Sequence, residues 1–141
     1  MTDRPELGFL LSRLMRDVIR GEEPILAQHG LQMWDHVILT ALGGGPAQTQ
    51  AELAAATGRD KTRLIRNLDN LEQRDVITRR PDPADRRNRI VALTPSGSRT
   101  LRACQKQIRA MEESLLAGLP ARDQERFLGA LQDLATRAER G

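Results

Sequence analysis

Residues 71–97 read LEQRDVITRRPDPADRRNRIVALTPSG, and the fold turns on how that stretch is parsed. Val76, Ile77 and Thr78 favour extended backbone, as do Ile90 and Val91. Between the two runs lie Pro81, Asp82, Pro83 and Asp85, which form turns because proline presets φ and aspartate hydrogen-bonds the nearby backbone. Ahead of the first run a helical pattern ends. After the second, Thr94 and Pro95 suit the N-cap and first position of another helix. The stretch predicts a two-stranded ribbon with arginines at its tip, held between helices.

Towards the N-terminus, Asp60 is placed to cap a helix continuing to Arg74, preceded by the turn Thr57, Gly58 and Arg59. Thr49 and Glu52 have capping-box spacing, so a short helix is expected from Gln50 to Ala56. Two short helices joined by a turn containing Gly are the sequence form of a helix-turn-helix. At about 100° per residue, Leu64, Leu68 and Leu71 fall within roughly 60° of one another, while Thr62 and Arg66 point to the opposite side. Arg63 and Asn70 lie beside that opposite face and Lys61 stands at its N-terminal end. Arginine and asparagine so arranged can read guanine and adenine edges in a major groove, and Thr62 can contact bases or phosphates. Apart from Asp69 the face lacks acids, unlike a helix surface laced with i,i+4 ion pairs.

Further out, apolar residues at Leu7, Leu10, Leu11, Leu14, Met15, Val18 and Ile19 follow helical spacing. A break is expected at Gly21, then a short helix from Pro24 to Gln28 ended by Gly30. MWDHVILTAL, residues 33–42, makes a further helix that stops at Gly43, Gly44, Gly45 and Pro46. Beyond the ribbon, Leu101, Cys104, Ile108, Met111 and Leu115 keep a 3-4-3-4 stripe. Gly118 and Pro120 break it, and a last helix from Arg122 carries Phe127, Leu128, Leu131, Leu134, Ala135 and Ala138.

At 141 residues the chain is most simply one domain. Only Phe9, Trp34 and Phe127 are aromatic, so the core must be built of Leu, Ile, Val and Ala. The net charge of +3 is modest, but residues 57–90 hold ten Lys or Arg against six Asp or Glu, a local +4 that leaves the remainder at −1. That is a footprint for a polyanion. No apolar run approaches the roughly 20 residues of a membrane span, and the N-terminus lacks a signal-peptide pattern, so a cytoplasmic protein is expected.

Residues 49–97 resemble the winged helix-turn-helix of the MarR family of bacterial transcriptional regulators. The similarity lies in TQAELA, KTRLIRNLDNLE, ITRRPDPADRR and VALTPSG, and above all in the DP-x-D-x-R-x5-LT-x2-G run from Asp82 to Gly97. The flanking helices fit the same arrangement, so the resemblance covers nearly the whole chain. It implies a mainly α fold with a small β-wing: a DNA-binding lobe over 31–97, with 1–30 and 98–141 as dimerisation helices. It further implies that the helix after Asp60 enters the major groove while Arg87 at the ribbon tip reaches the minor groove. Asp85 would orient Arg87 through a short ion pair, Arg86 and Arg89 would meet phosphates, and Gln50 joins the DNA-contacting set with Lys61, Thr62, Arg63, Arg66 and Asn70. One position departs from the family, which usually has Gly where this chain has Asp75. A left-handed backbone there is expected to carry some strain.

The terminal stripes need covering, which points to a homodimer and hence to a pseudo-palindromic operator on double-stranded DNA. Members of this family often bind small aromatic or phenolic acids between lobe and dimer helices, and Met33 and His36 are the candidate effector-pocket residues. Cys104 sits on an apolar stripe without a second cysteine, the setting of a buried structural thiol. His29 and His36 have no neighbours at ligand spacing, so neither a metal nor a cofactor is expected. Nothing has the pattern of a nucleophile and base or of a phosphate loop, so catalysis is not expected. The alternative is a winged-helix interaction or scaffold module whose basic wing is merely solvated.

Overall fold

The computed structural model describes residues 3–140; Met1, Thr2 and Gly141, at the ends of the expected dimerisation segments, lie outside them. In chain order the elements are α1 (Leu7–Gln28), α2 (Met33–Gly43), β1 (Gln48–Thr49), α3 (Gln50–Thr57), α4 (Lys61–Gln73), β2 (Ile77–Pro81), β3 (Arg89–Leu93), α5 (Pro95–Leu116) and α6 (Ala121–Arg140). The fold is mainly α with a small antiparallel wing.

Three caps fall where the side chains demand them. Thr49 accepts from the Glu52 N–H at 3.1 Å while Glu52 accepts from the Thr49 N–H, closing the box at the start of α3. Asp60 accepts from the Arg63 N–H at 3.2 Å, and Thr94 from the Gly97 N–H at 2.9 Å. A fourth had no advance signal: Asp35 accepts from the Gln32 N–H at 2.9 Å, starting α2.

Two expectations need correction. The first is the break at Gly21, since α1 runs unbroken through Gly21 and Pro24. Pro24 costs the helix its bond to the Arg20 carbonyl, yet Ile19, Ile25 and Leu26 turn inward on either side, and that packing holds the helix together. Gly21 is small for a different reason. A Cβ there would lie 2.5 Å from the Met111 sulfur, so Gly21 lets α1 and α5 approach closely. The helix does end at Gly30, with Leu31 N–H bonded to the Leu26 carbonyl at 2.9 Å.

The second is the ribbon, which is three-stranded, not two-stranded. The order is β1-β3-β2, with Gln48 opposite Val91, Ile77 opposite Leu93 and Pro81 opposite Arg89. Two residues of β1 carried no alternating pattern to announce them. The Gln48 side chain ties that strand to the Ala41 carbonyl at 2.7 Å.

The core lies under the lobe. Ile38, Leu39, Leu53, Leu64, Leu68, Leu71, Ile77 and Val91 are fully buried, and Leu101, Cys104 and Ile108 bring the inner face of α5 onto the same cluster. By contrast no residue of α6 with a described side chain is buried, and Leu7, Phe9, Leu10, Leu11 and Met15 stand exposed on α1.

Candidate nucleic-acid interface

The helix that carries the candidate base-reading side chains is α4. Leu64, Leu68 and Leu71 are its inner stripe, and Lys61, Thr62, Arg63, Arg66 and Asn70 are all exposed on the outside. Asn67 is turned inward instead: its amide donates to the buried Asp35 carboxylate at 3.1 Å and accepts from Arg59 at 3.2 Å. Arg59 in turn lies over the Trp34 ring, 4.4 Å from its centroid. This inward network fixes α4 on α2.

At its far end α4 passes into the wing through Asp75, at φ 59 the one non-glycine residue with positive φ among those described. Asp75 N–H bonds to the Glu72 carbonyl and Val76 N–H to the Leu71 carbonyl, both at 3.0 Å, so the helix closes in the way usually reserved for glycine. Thr94 then clasps the junction, its hydroxyl donating to the Asp75 carbonyl at 2.7 Å. Gly97 has no room for a side chain, because a Cβ would meet the Val76 carbonyl oxygen. Arg74 reaches back to the carbonyls of His29 and Gly30, tying the end of α4 to the end of α1.

The wing tip is held by its own backbone. Asp82 N–H bonds to the Asn88 carbonyl at 3.1 Å and Asn88 N–H to the Asp85 carbonyl at 2.9 Å. Asp85 was expected to orient Arg87 through an ion pair; its carboxylate accepts the Arg87 backbone N–H at 3.1 Å instead. The aspartate thus shapes the turn and leaves the guanidinium free. Arg86, Arg87 and Arg89 are all exposed, and none has an acidic partner among the described residues.

Arg79 is the residue sequence reasoning missed. It looked like one more wing arginine, yet its side chain is only 8 % exposed and its guanidinium bonds both Asp69 and Glu72 of α4, the latter at 2.9 Å. Gln50, expected to meet DNA, accepts from the same guanidinium at 3.4 Å. Burial works against the arginine's charge, but the hydrogen bonds and charges of Glu72 and Asp69 outweigh it and hold its pKa above the ordinary value. The same hydrogen bond holds the Glu72 carboxyl below its usual range. Two acids three residues apart on a helix beside a basic strand were the available signal.

The effector candidates do not line the cavity among α1, α5 and α6. That space, about 510 Å³, is lined by Leu14, Val18, Leu116, Phe127, Leu128 and Leu131. Met33 packs against the lobe core. His36 is half-buried, its Nδ1 inaccessible and without a hydrogen-bond partner, and burial pushes its pKa down. Cys104 is buried and its thiol is pushed up, away from the reactive thiolate. Among the described residues, no helix is long and apolar enough to cross a membrane, and no cluster of His, Cys, Asp or Glu is placed to hold a metal ion.

A helix-turn-helix with an outward basic reading helix, continued into an arginine-tipped wing, defines the class of winged-helix transcriptional regulators. Comparison with known proteins narrows this. The model of the MarR family matches residues 29–88. Transcriptional regulator HosA of Escherichia coli O111:H- is 31% identical over 93 residues, covering 66% of this chain and 69% of that protein. The crystal structure of MarR superposes with a TM-score of 0.89 at 26% identity, covering 99% of this chain and 95% of that one. The transcriptional repressor CouR, solved bound to a 23-mer DNA duplex, is 32% identical with a TM-score of 0.79, covering 94% of this chain and 92% of that one. The chain belongs to the MarR family of transcriptional regulators.

Proposed function

We propose that this regulator is a cytoplasmic homodimer that represses transcription by occupying a pseudo-palindromic operator. Residues 31–97 form its DNA-binding lobe, and 1–30 with 98–141 its dimerisation helices. Lys61, Thr62, Arg63, Arg66 and Asn70 face the major groove, Arg87 enters the minor groove, and Gln50, Arg86 and Arg89 meet the backbone. Asp85 supports the wing. One observation carries this reading: reading face and wing tip are both basic, exposed and free of acidic partners among the described residues, while the nearby acids Asp69 and Glu72 are tied to Arg79. A basic surface whose neighbouring acids are neutralised suits a polyanion.

Dimerisation is supported by α6, a 20-residue helix with no buried described side chain and with Leu128, Leu131 and Leu134 exposed along it. Release by a small aromatic or phenolic acid bound near Met33 and His36 belongs to the same proposal, supported by the half-burial of both side chains at the start of α2. The test is a gel-shift titration over salt with a pseudo-palindromic duplex from the protein's own upstream region. Repression requires a steep salt slope and at least about 10³-fold preference over unrelated duplex. A scaffold module with a solvated wing would show neither.

A further inference from the structure

Among the described residues, Arg79 is the one basic residue of the lobe paired with acidic side chains, and its position gives that charge a task. It is the third residue of β2, and its guanidinium bonds Asp69 and Glu72 in the second half of α4 and Gln50 at the first turn of α3. A single planar group with several fixed donors therefore ties wing, reading helix and preceding helix together. The base of the wing is held where Thr94 and Gly97 meet Asp75 and Val76, and β3 is held from its other side by β1, with Gln48 opposite Val91. Arg79 ties the outer strand, β2, to α4.

We propose that Arg79 is the positioning residue that fixes the angle between the α4 reading face and the wing, so that major-groove and minor-groove contacts form together. This rests on the operator-binding reading given above. The lever arm shows why it matters. Two further residues of β2 and the turn, at about 3.3 Å per residue, put the Arg87 tip roughly 12 Å beyond the clasp, so a hinge error of about 10° moves it about 2 Å. Hydrogen bonds do not tolerate that displacement. Loss of Arg79 would also release two carboxylates beside the DNA, and the test must separate that charge from the geometry.

Arg79→Met is to be compared with Asp69→Asn/Glu72→Gln and with the triple variant, each with and without Arg87→Ala, by operator affinity and salt slope. The expected result is a loss of about 10-fold or more for Arg79→Met, with the salt slope within about one unit of the parent because Arg79 touches no phosphate. The triple variant should stay at least severalfold weak. With Arg87→Ala already present, the further loss should shrink below about threefold, since a missing wing contact cannot be misplaced. Equal losses in both backgrounds, or full rescue in the triple variant, would overturn the proposal. If Arg79→Met does not fold, Arg79→Lys serves: one ammonium keeps the charge but not the planar fork, and an intermediate loss is expected. Amide hydrogen exchange of the DNA-free dimer decides the clasp independently. Residues 77–93 should exchange faster in Arg79→Met while α1 and α5 do not, and unchanged wing exchange overturns the clasp even where a parent protein without operator preference has refuted only the operator-binding reading.

Discussion

In the winged lobe Ile38, Leu39, Leu53, Leu64, Leu68 and Leu71 are all at 0% exposure, whereas on α1 and α6 Leu7, Phe9, Met15 and Leu134 are each more than half exposed. The residue types are nearly the same in both regions. What differs is the presence of a second layer. α2, α3, α4 and the sheet enclose one another, but among the described residues the outer ends of α1 and α6 leave large apolar side chains uncovered. One region is a finished core; the other is half of one. Stability in the lobe is therefore a property of a single chain, and stability in the terminal helices a property of concentration.

The sharpest way to break that contrast is at its centre. Leu68→Ala should cost about 2–5 kcal/mol in urea denaturation, independent of protein concentration. A concentration-dependent midpoint shift would mean that the lobe is not self-contained. Next comes Leu128→Asp/Leu131→Asp on α6, expected to weaken self-association by about 100-fold, or about 2.7 kcal/mol, by sedimentation equilibrium while the helical signal of the lobe survives. A dimer as tight as the parent would remove α6 from the interface. Arg66→Ala should cost about 1–3 kcal/mol in operator binding with relaxed base preference, leaving both cores intact; equal loss on every duplex would make it a phosphate contact. Asp75→Gly should raise stability by about 0.5–1 kcal/mol by removing side-chain strain at positive φ, read as a higher urea midpoint.

The smallest effect is in pH, and the two regions should answer with opposite signs. His36 in the lobe has a folded pKa below its ordinary 6.5, because burial disfavours its charge. The unfolded chain then binds the proton first, so lobe stability present above 6.5 is lost as pH falls through that value towards the folded pKa. Glu22 on α1 has a pKa raised above 4.5, first by burial and then by Glu112 on α5. The folded state holds that proton longer, so stability is gained as pH falls through the raised pKa to 4.5 and lost as pH rises. His36→Gln and Glu22→Gln should each flatten its own part of the stability curve. Identical curves for parent and variant would remove that group as the cause.

Much of this was legible because local chemistry carried it. Thr49 with Glu52, Asp60, and Thr94 with Pro95 announce helix starts by their own hydrogen-bonding needs, and Asp75 marked the hinge where a left-handed residue was required. What escaped was set by distant partners. Pro24 and Gly21 look like a helix break until Met111 is known to lie against Gly21 and Leu26 is known to be buried beside Pro24. β1 is too short to show a period and exists only because Val91 and Ile90 offer it an edge. Among the candidate site residues, the exposed face of α4 followed from its own periodicity. Arg79 could not be told from Arg80 without knowing which strand face meets Asp69 and Glu72, and Asp85 serves the backbone of Arg87 where an ion pair was expected.

The strand order has one further consequence. β2 is paired with β3 on one side only, which leaves its outer edge open to any extended chain that could add to the sheet. Such edges are where proteins join into unwanted ribbons. Here the strand closes with Pro81, which has no N–H to offer, and it carries the exposed Arg80, so an incoming strand would meet a missing donor and a positive charge. The proline that closes the strand thus also guards the open edge of the sheet against aggregation.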